Sequence, residues 1–125
     1  MEWNITGGRP VYVQLVEQLE LALLNGTFPP GSRVPPVREL AAEAGVNPNT
    51  MQRALQELES QNLLQAQRTA GRTVTADAEV LHQLRSRRAA ALAAEFIRRM
   101  KGLGLDQAEI RDLLRKAAEE EETDE

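Results

Sequence analysis

The sequence predicts a mainly α-helical fold that carries one small β-hairpin. Three observations predict it. Apolar residues recur at helical spacing through most of the 125 residues. The period switches to alternation only between residues 64 and 75. Gly, Pro and Asn fall mostly at the joints between these patterns rather than inside them.

Each element can be justified in order. In residues 10–24, Tyr12, Leu15, Val16, Leu19, Ala22 and Leu23 follow helical spacing. Pro10 suits a first helical turn, and Asn25-Gly26 stops the helix. Phe28-Pro29-Pro30-Gly31 makes a rigid turn. A short helix carries Val37, Leu40, Ala41 and Ala44 and ends at Gly45. A third starts at Asn47-Pro48, an Asn cap with Pro in the first helical position, and buries Met51, Ala54, Leu55 and Leu58 before ending near Gln61. Residues 64–68 and 72–75 alternate around Thr69-Ala70-Gly71, a hairpin with Gly near its tip, and Arg33-Val34 is placed to add a third short strand. Helical spacing returns at Asp77, with Leu81, Leu84, Leu92, Phe96 and Met100 as apolar marks and an Ala-rich stretch over 89–94, until Gly102 and Gly104 break it. Asp106 with Glu109 has the form of a capping box for a last helix that would bury Ile110, Leu113, Leu114 and Ala117. Residues 119–125 read as an acidic tail that frays. The organisation expected is a first domain over 1–76, a helical segment over 77–118 and the tail.

Composition narrows the function. There is no cysteine, which excludes disulfides, thiolate metal sites and Cys nucleophiles, and the one histidine, His82, cannot by itself make a multi-histidine metal site. No cofactor is expected. No apolar run approaches the ~18 residues of a membrane span, and the first residues lack the pattern of a secretory signal. The expected location is the cytoplasm, with no membrane partner. The acidic residues have no histidine or nucleophile beside them in any catalytic pattern, so the chain is not expected to be an enzyme. Net charge is −4. Residues 1–75 carry six Arg against seven acids, and residues 76–125 carry nine basic against twelve acidic residues. The basic domain that would point directly to nucleic acid is therefore absent, and any DNA contact must rest on the placement of a few arginines.

That placement is found between Arg38 and Leu58. Two helices meeting at a sharp turn need a small residue at their contact, which Ala41 supplies, and a residue tolerant of positive φ four positions later, which Gly45 supplies. With Met51, Ala54 and Leu55 inward, the second helix presents Asn49, Gln52, Arg53 and Gln56 outward, and Asn47, Pro48 and Thr50 at its amino end. Asn and Gln can pair bidentately with adenine and Arg with guanine. The amino end of such a helix approaches base edges, and its N–H groups favour phosphate. The hairpin that follows, with Arg68 and Arg72 bracketing the turn, completes the layout of a winged helix-turn-helix whose wing lies on phosphates or in the minor groove.

Four ordered motifs carry a resemblance. Pro10-Val11-Tyr12-Val13-Gln14-Leu15, Phe28-Pro29-Pro30-Gly31-Ser32-Arg33-Val34-Pro35, Val37-Arg38-Glu39-Leu40-Ala41 and Val46-Asn47-Pro48-Asn49-Thr50-Met51-Gln52-Arg53-Ala54 resemble the amino-terminal domain of GntR-family bacterial transcription regulators. The Val-Asn-Pro-Asn-Thr form and the wing are most similar to the YtrA-like subfamily. The resemblance implies a winged helix that binds operator DNA as a dimer, with Arg38, Asn47, Asn49, Thr50 and Gln52 at contact positions and Gly71 at the wing turn. Pro36 stands where the family often has a capping Ser, Gln52 where some relatives carry Arg, and Thr73 where an aromatic is common.

The segment after Asp77 is too short for an effector or aminotransferase-like domain, and two helices cannot enclose a small-molecule pocket of ~300 Å³ or more. They can bury a stripe against a second copy. Ala89 to Ala94 would allow close approach, and Leu92, Phe96, Met100, Ile110 and Leu114 would supply the contact. The function expected is a sequence-specific DNA-binding transcription regulator, a repressor that binds a pseudo-palindromic operator on double-stranded DNA as a homodimer. The resemblance adds a transporter operon as its target. The alternative, favoured by the acidic net charge, is a winged-helix protein-interaction module without DNA binding.

Overall fold

The computed structural model describes residues 1–69 and 71–124; Ala70 of the expected turn and Glu125 of the expected tail lie outside them. Along the described residues run α1 (Val11–Leu24), α2 (Val37–Ala44), α3 (Pro48–Ser60), β1 (Leu64–Gln67), β2 (Gly71–Val74), α4 (Ala78–Gly102) and α5 (Gln107–Asp124). The architecture is thus mainly α with one antiparallel hairpin, as the change of period required. The chain divides into two compact units, Met1–Arg85 and Ser86–Glu125.

The first unit is organised around α3. Met51, Ala54, Leu55 and Leu58 are fully buried, together with Leu15 of α1, Leu40 of α2, Leu63, Leu64 and Val74. Leu81 and Leu84 join this core, so the first turns of α4 belong to this unit and not to the segment that follows. α3 ends where Asn62 takes φ 63°, and the Leu63 N–H returns to the Leu58 carbonyl at 2.9 Å. Asn tolerates the left-handed region, which makes it a natural stop.

The hairpin pairs Leu64 with Val74, Gln65 with Thr73, Ala66 with Arg72 and Gln67 with Gly71. The third strand anticipated at Arg33-Val34 forms as a single bridge from Arg33 to Thr73. It is held by Val34 N–H to Arg72 O at 2.9 Å and Val74 N–H to Ser32 O at 2.8 Å. Leu64 and Val74 turn inward, so residues two positions away, Ala66 and Arg72, share that face. Arg33, Thr73 and Gln65 share the other, where Gln67 donates to Thr73 Oγ1 at 3.3 Å.

An amino-terminal arm is laid along α1 by Gln14, a buried polar residue to which helical spacing gave no role. Its amide accepts from Thr6 N–H at 2.8 Å and donates to Thr6 O at 2.8 Å and Arg9 O at 2.9 Å. Gln18 and Asn4 repeat the arrangement, and Trp3 packs against the core.

In the second unit, the capping box of α5 is formed in both directions. Glu109 N–H donates to Asp106 Oδ1 at 2.8 Å, and Asp106 N–H to Glu109 Oε1 at 3.0 Å. Residues 119–124 continue α5, because glutamates are good helix formers even where the helix dipole opposes them. One expectation needs correction here. Of the face expected to be buried, only Ile110 is covered; Leu113, Leu114 and Ala117 are exposed, since no described segment of the chain lies over them.

Candidate nucleic-acid interface

Ala41 is 1% exposed at the α2–α3 corner, small enough for the two helices to meet. Gly45 takes φ 68°, and its N–H and that of Val46 return to the last carbonyls of α2. This left-handed turn, which a residue with Cβ enters at a cost, aims α3 away from α2. Asn47 caps α3 through Oδ1, which accepts the Asn49 N–H at 2.8 Å, and Pro48 follows at the first helical position. Because burial takes Met51, Ala54, Leu55 and Leu58, the spacing leaves Asn47, Pro48, Asn49, Gln52, Arg53 and Gln56 exposed, with Thr50 half-buried. The Asn47 oxygen is committed to the cap, so its amide nitrogen is what remains for a ligand. Arg38 is exposed in the first turn of α2, whose amino end has no side-chain cap because Pro36 stands there.

Three arginines expected together at this surface are not equivalent. Arg53 stacks over Tyr12, its guanidinium carbon 4.3 Å from the ring centroid, while the Tyr12 hydroxyl donates to Glu57 Oε2 at 3.5 Å. The Arg53 head is thus drawn toward α1. Arg72 is paired with Glu59 of α3 and is only 20% exposed. It lies on the inner face of the hairpin, as its spacing from Val74 dictates. Arg68, in the turn just after β1, is exposed. Gly71 takes φ 71° at the start of β2.

Arg33 is the residue that motif reading passed over. Its bridge to Thr73 puts it on the outer face of the wing, and its Nε and Nη2 lie 3.8 and 3.9 Å from the position a Cβ on Gly71 would occupy. Among the described residues, Arg33, Arg38 and Arg68 have no carboxylate partner. The two-residue period of β2, with Val74 inward, was the signal available in the sequence for separating Arg72 from the outer face.

In the second unit Leu92 and Phe96 are 66% and 58% exposed, Leu114 is exposed and Met100 half-buried, whereas Ile110 is buried in the single chain. Leu103 and Leu113 are exposed as well. Among the described residues no cluster of His, Asp and Glu could hold a metal ion, and no helix is long and apolar enough to cross a membrane.

A helix-turn-helix with an exposed polar second helix, followed by a hairpin wing, defines a winged-helix DNA-binding protein. Residues 11–74 match the family described as "Bacterial regulatory proteins, gntR family". The HTH-type transcriptional regulator YhcF of Bacillus subtilis (strain 168) is 31% identical over 110 residues, covering 88% of this chain and 91% of that protein. The HTH-type transcriptional repressor YtrA of the same organism is 36% identical over 70 residues, 56% of this chain and 54% of that one. Among solved structures, a GntR family transcriptional regulator from Listeria monocytogenes superposes with TM-score 0.81 at 33% identity, over 90% of this chain and 98% of that one. The DNA-binding domain of AraR, solved in complex with operator ORX1, superposes with TM-score 0.55 at 28% identity, over 60% of this chain and 96% of that one. The chain belongs to the GntR family: it is a DNA-binding transcription regulator and not an enzyme, and its fold is that of the family's winged helix.

Proposed function

We propose that the protein binds a pseudo-palindromic operator as a homodimer and represses transcription from it. The observation that carries this is the amino end of α3, where Asn49 and Gln52 stand exposed over a fully buried inner face. Such a helix entering the major groove offers amide groups to adenine edges. Arg38 and Arg68, without carboxylate partners among the described residues, supply phosphate contacts on either side. Asn47, Pro48, Thr50 and Gly71 bring backbone and small polar groups near the duplex, while Arg53 and Arg72 hold the surface in shape from behind. The AraR neighbour, solved with its operator, supports this reading.

Dimerisation rests on the second unit. Leu92, Phe96, Met100 and Leu114 form the interface, and Ile110 packs beneath it. One winged helix presents only about three or four base-reading side chains, and the chain carries a net charge of −4, so a single head holds DNA weakly. The repressor YtrA, a relative over half of this chain, favours repression over activation. The YtrA-like resemblance adds a transporter operon as the target.

Footprinting on the DNA upstream of the protein's own gene tests this. Two protected half-sites about one helical turn apart are expected. Protection of one half-site, or of none, would overturn the dimeric operator reading.

A further inference from the structure

Resting on the DNA-binding reading above, we propose that Arg33, and not Arg72, joins Arg68 in the wing's contact with DNA phosphates. Arg72 is the residue its position beside the hairpin turn first recommends. Its guanidinium, however, is engaged by Glu59, and it lies on the face of the hairpin that also holds the buried Val74. Moving it to a phosphate would break an ion pair and leave Glu59 facing the same anion. Arg33 has neither obstacle. It is exposed, it has no carboxylate partner among the described residues, and its backbone is pinned by the bridge to Thr73. Its guanidinium runs past Gly71, where the missing side chain leaves the wing backbone open to a close approach.

Position supports the same assignment. A cavity of about 250 Å³ lined by Arg33, Pro35, Val37 and Gly71 lies between the wing and the start of α2, the helix whose first turn carries Arg38. Arg72 borders it too, but with its charge already matched. Arg33 thus borders a recess that Pro36 and Val37, the residues just before Arg38, also line, which suits phosphodiester oxygens of one strand. An Arg can meet such oxygens bidentately. The contact is independent of sequence, because phosphodiester oxygens are the same at every base pair. Arg72 acts instead as a brace that sets the wing against α3.

Binding to a short duplex of arbitrary sequence, measured over a range of salt from about 50 to about 200 mM, tests the assignment. Arg33→Ala should weaken binding roughly tenfold, the size of one charge-assisted contact, and lower the salt slope by about one. Arg33→Lys should keep the slope. Arg72→Ala should keep the slope too but lower the melting temperature, because the brace to Glu59 is lost. Arg33→Gln, which retains the stem beside Gly71, gives the same readout if Arg33→Ala does not fold. An unchanged slope in the Arg33 variants, or an equal loss of slope in Arg72→Ala, overturns the inference while the DNA-binding reading stands. A wild-type chain that binds no duplex at all overturns that reading, and this inference with it.

Discussion

The two units of the chain solve the burial problem in opposite ways. In Met1–Arg85, seventeen apolar residues close into one core, and hardly any large apolar side chain is left fully in solvent. In Ser86–Glu125, Ile110 is the one buried apolar residue among those described, while Leu92, Phe96, Leu103, Leu113 and Leu114 remain exposed. Both regions are rich in helix-forming apolar spacing, so the contrast is not one of pattern. The first unit has a third layer, the hairpin with its bridge to Arg33, and a convergent centre in α3. Among the described residues, the second has two helices and no third element. A stripe of apolar residues on such helices is complete only when something else covers it, which is why a dimer is proposed there.

That contrast can be broken most forcefully at Phe96. If the exposed stripe is an interface, Phe96→Asp places an unpaired charge in it and separates the dimer. Linking two heads raises avidity by about 10²–10⁴, so operator affinity should fall by that order while each head keeps its fold. Light scattering and a gel shift check it together. A wild-type monomer with tight operator binding would remove the dimer from the proposal and leave the second unit without a covering partner.

The reverse experiment is Leu55→Ala. Leu55 is fully buried in the first unit, and truncating such a residue costs about 2–5 kcal/mol, depending on how far the cavity collapses. Chemical denaturation of the variant should show that loss in the transition of the first unit. A loss below about 1 kcal/mol would mean that this core is less tightly packed than its burial implies.

At the surface between these extremes lies Asn49. Asn49→Ala should cost about 1–3 kcal/mol on the operator if it pairs with a base edge, and little on random DNA, where phosphate contacts supply most of the binding. Competition binding with the two duplexes separates these effects. Equal weakening on both would move Asn49 from base reading to backbone contact.

The sequence was legible wherever a periodic face met a core. The bounds of α1, α2 and α3 fall within about a residue or two of where Pro10, Gly45, Asn47-Pro48 and Gln61 place them, because each joint has its own backbone chemistry. The family motifs marked the surface around α3 for the same reason: its inner face is fixed by Met51, Ala54, Leu55 and Leu58, so its outer face is fixed too. Pairings between elements distant in sequence were not legible. Nothing local announces that Glu59 captures Arg72, that Tyr12 draws Arg53 back toward α1, or that Gln14 gathers the amino-terminal arm. Each depends on which side chains the packed core brings within reach. Arg72 is the instructive case, since counting two residues back from Val74 was enough to turn it inward. The exposure of Leu113 and Leu114 failed differently: helical spacing identifies an apolar face but not whether its cover comes from the same chain.

The smallest effect compares the same device in the two units. Asn47 caps α3 and Asp106 caps α5, each through a side-chain oxygen that accepts a backbone N–H at 2.8 Å. Replacing either with Ala should cost about 1 kcal/mol, but the consequences should differ in reach. α3 is the centre of the first core, so Asn47→Ala should lower the stability of that whole unit, and hydrogen exchange should quicken together at Met51, Leu55 and Leu63. Among its described residues α5 has one that is buried, Ile110, and little else to share the loss. Asp106→Ala should therefore quicken exchange roughly fivefold within α5, the factor that corresponds to about 1 kcal/mol, and leave Met51 and Leu55 unchanged. Should Asp106→Ala also quicken exchange at Leu55, the two units would unfold as one cooperative body, and the contrast between a self-sufficient core and an uncovered stripe would not hold.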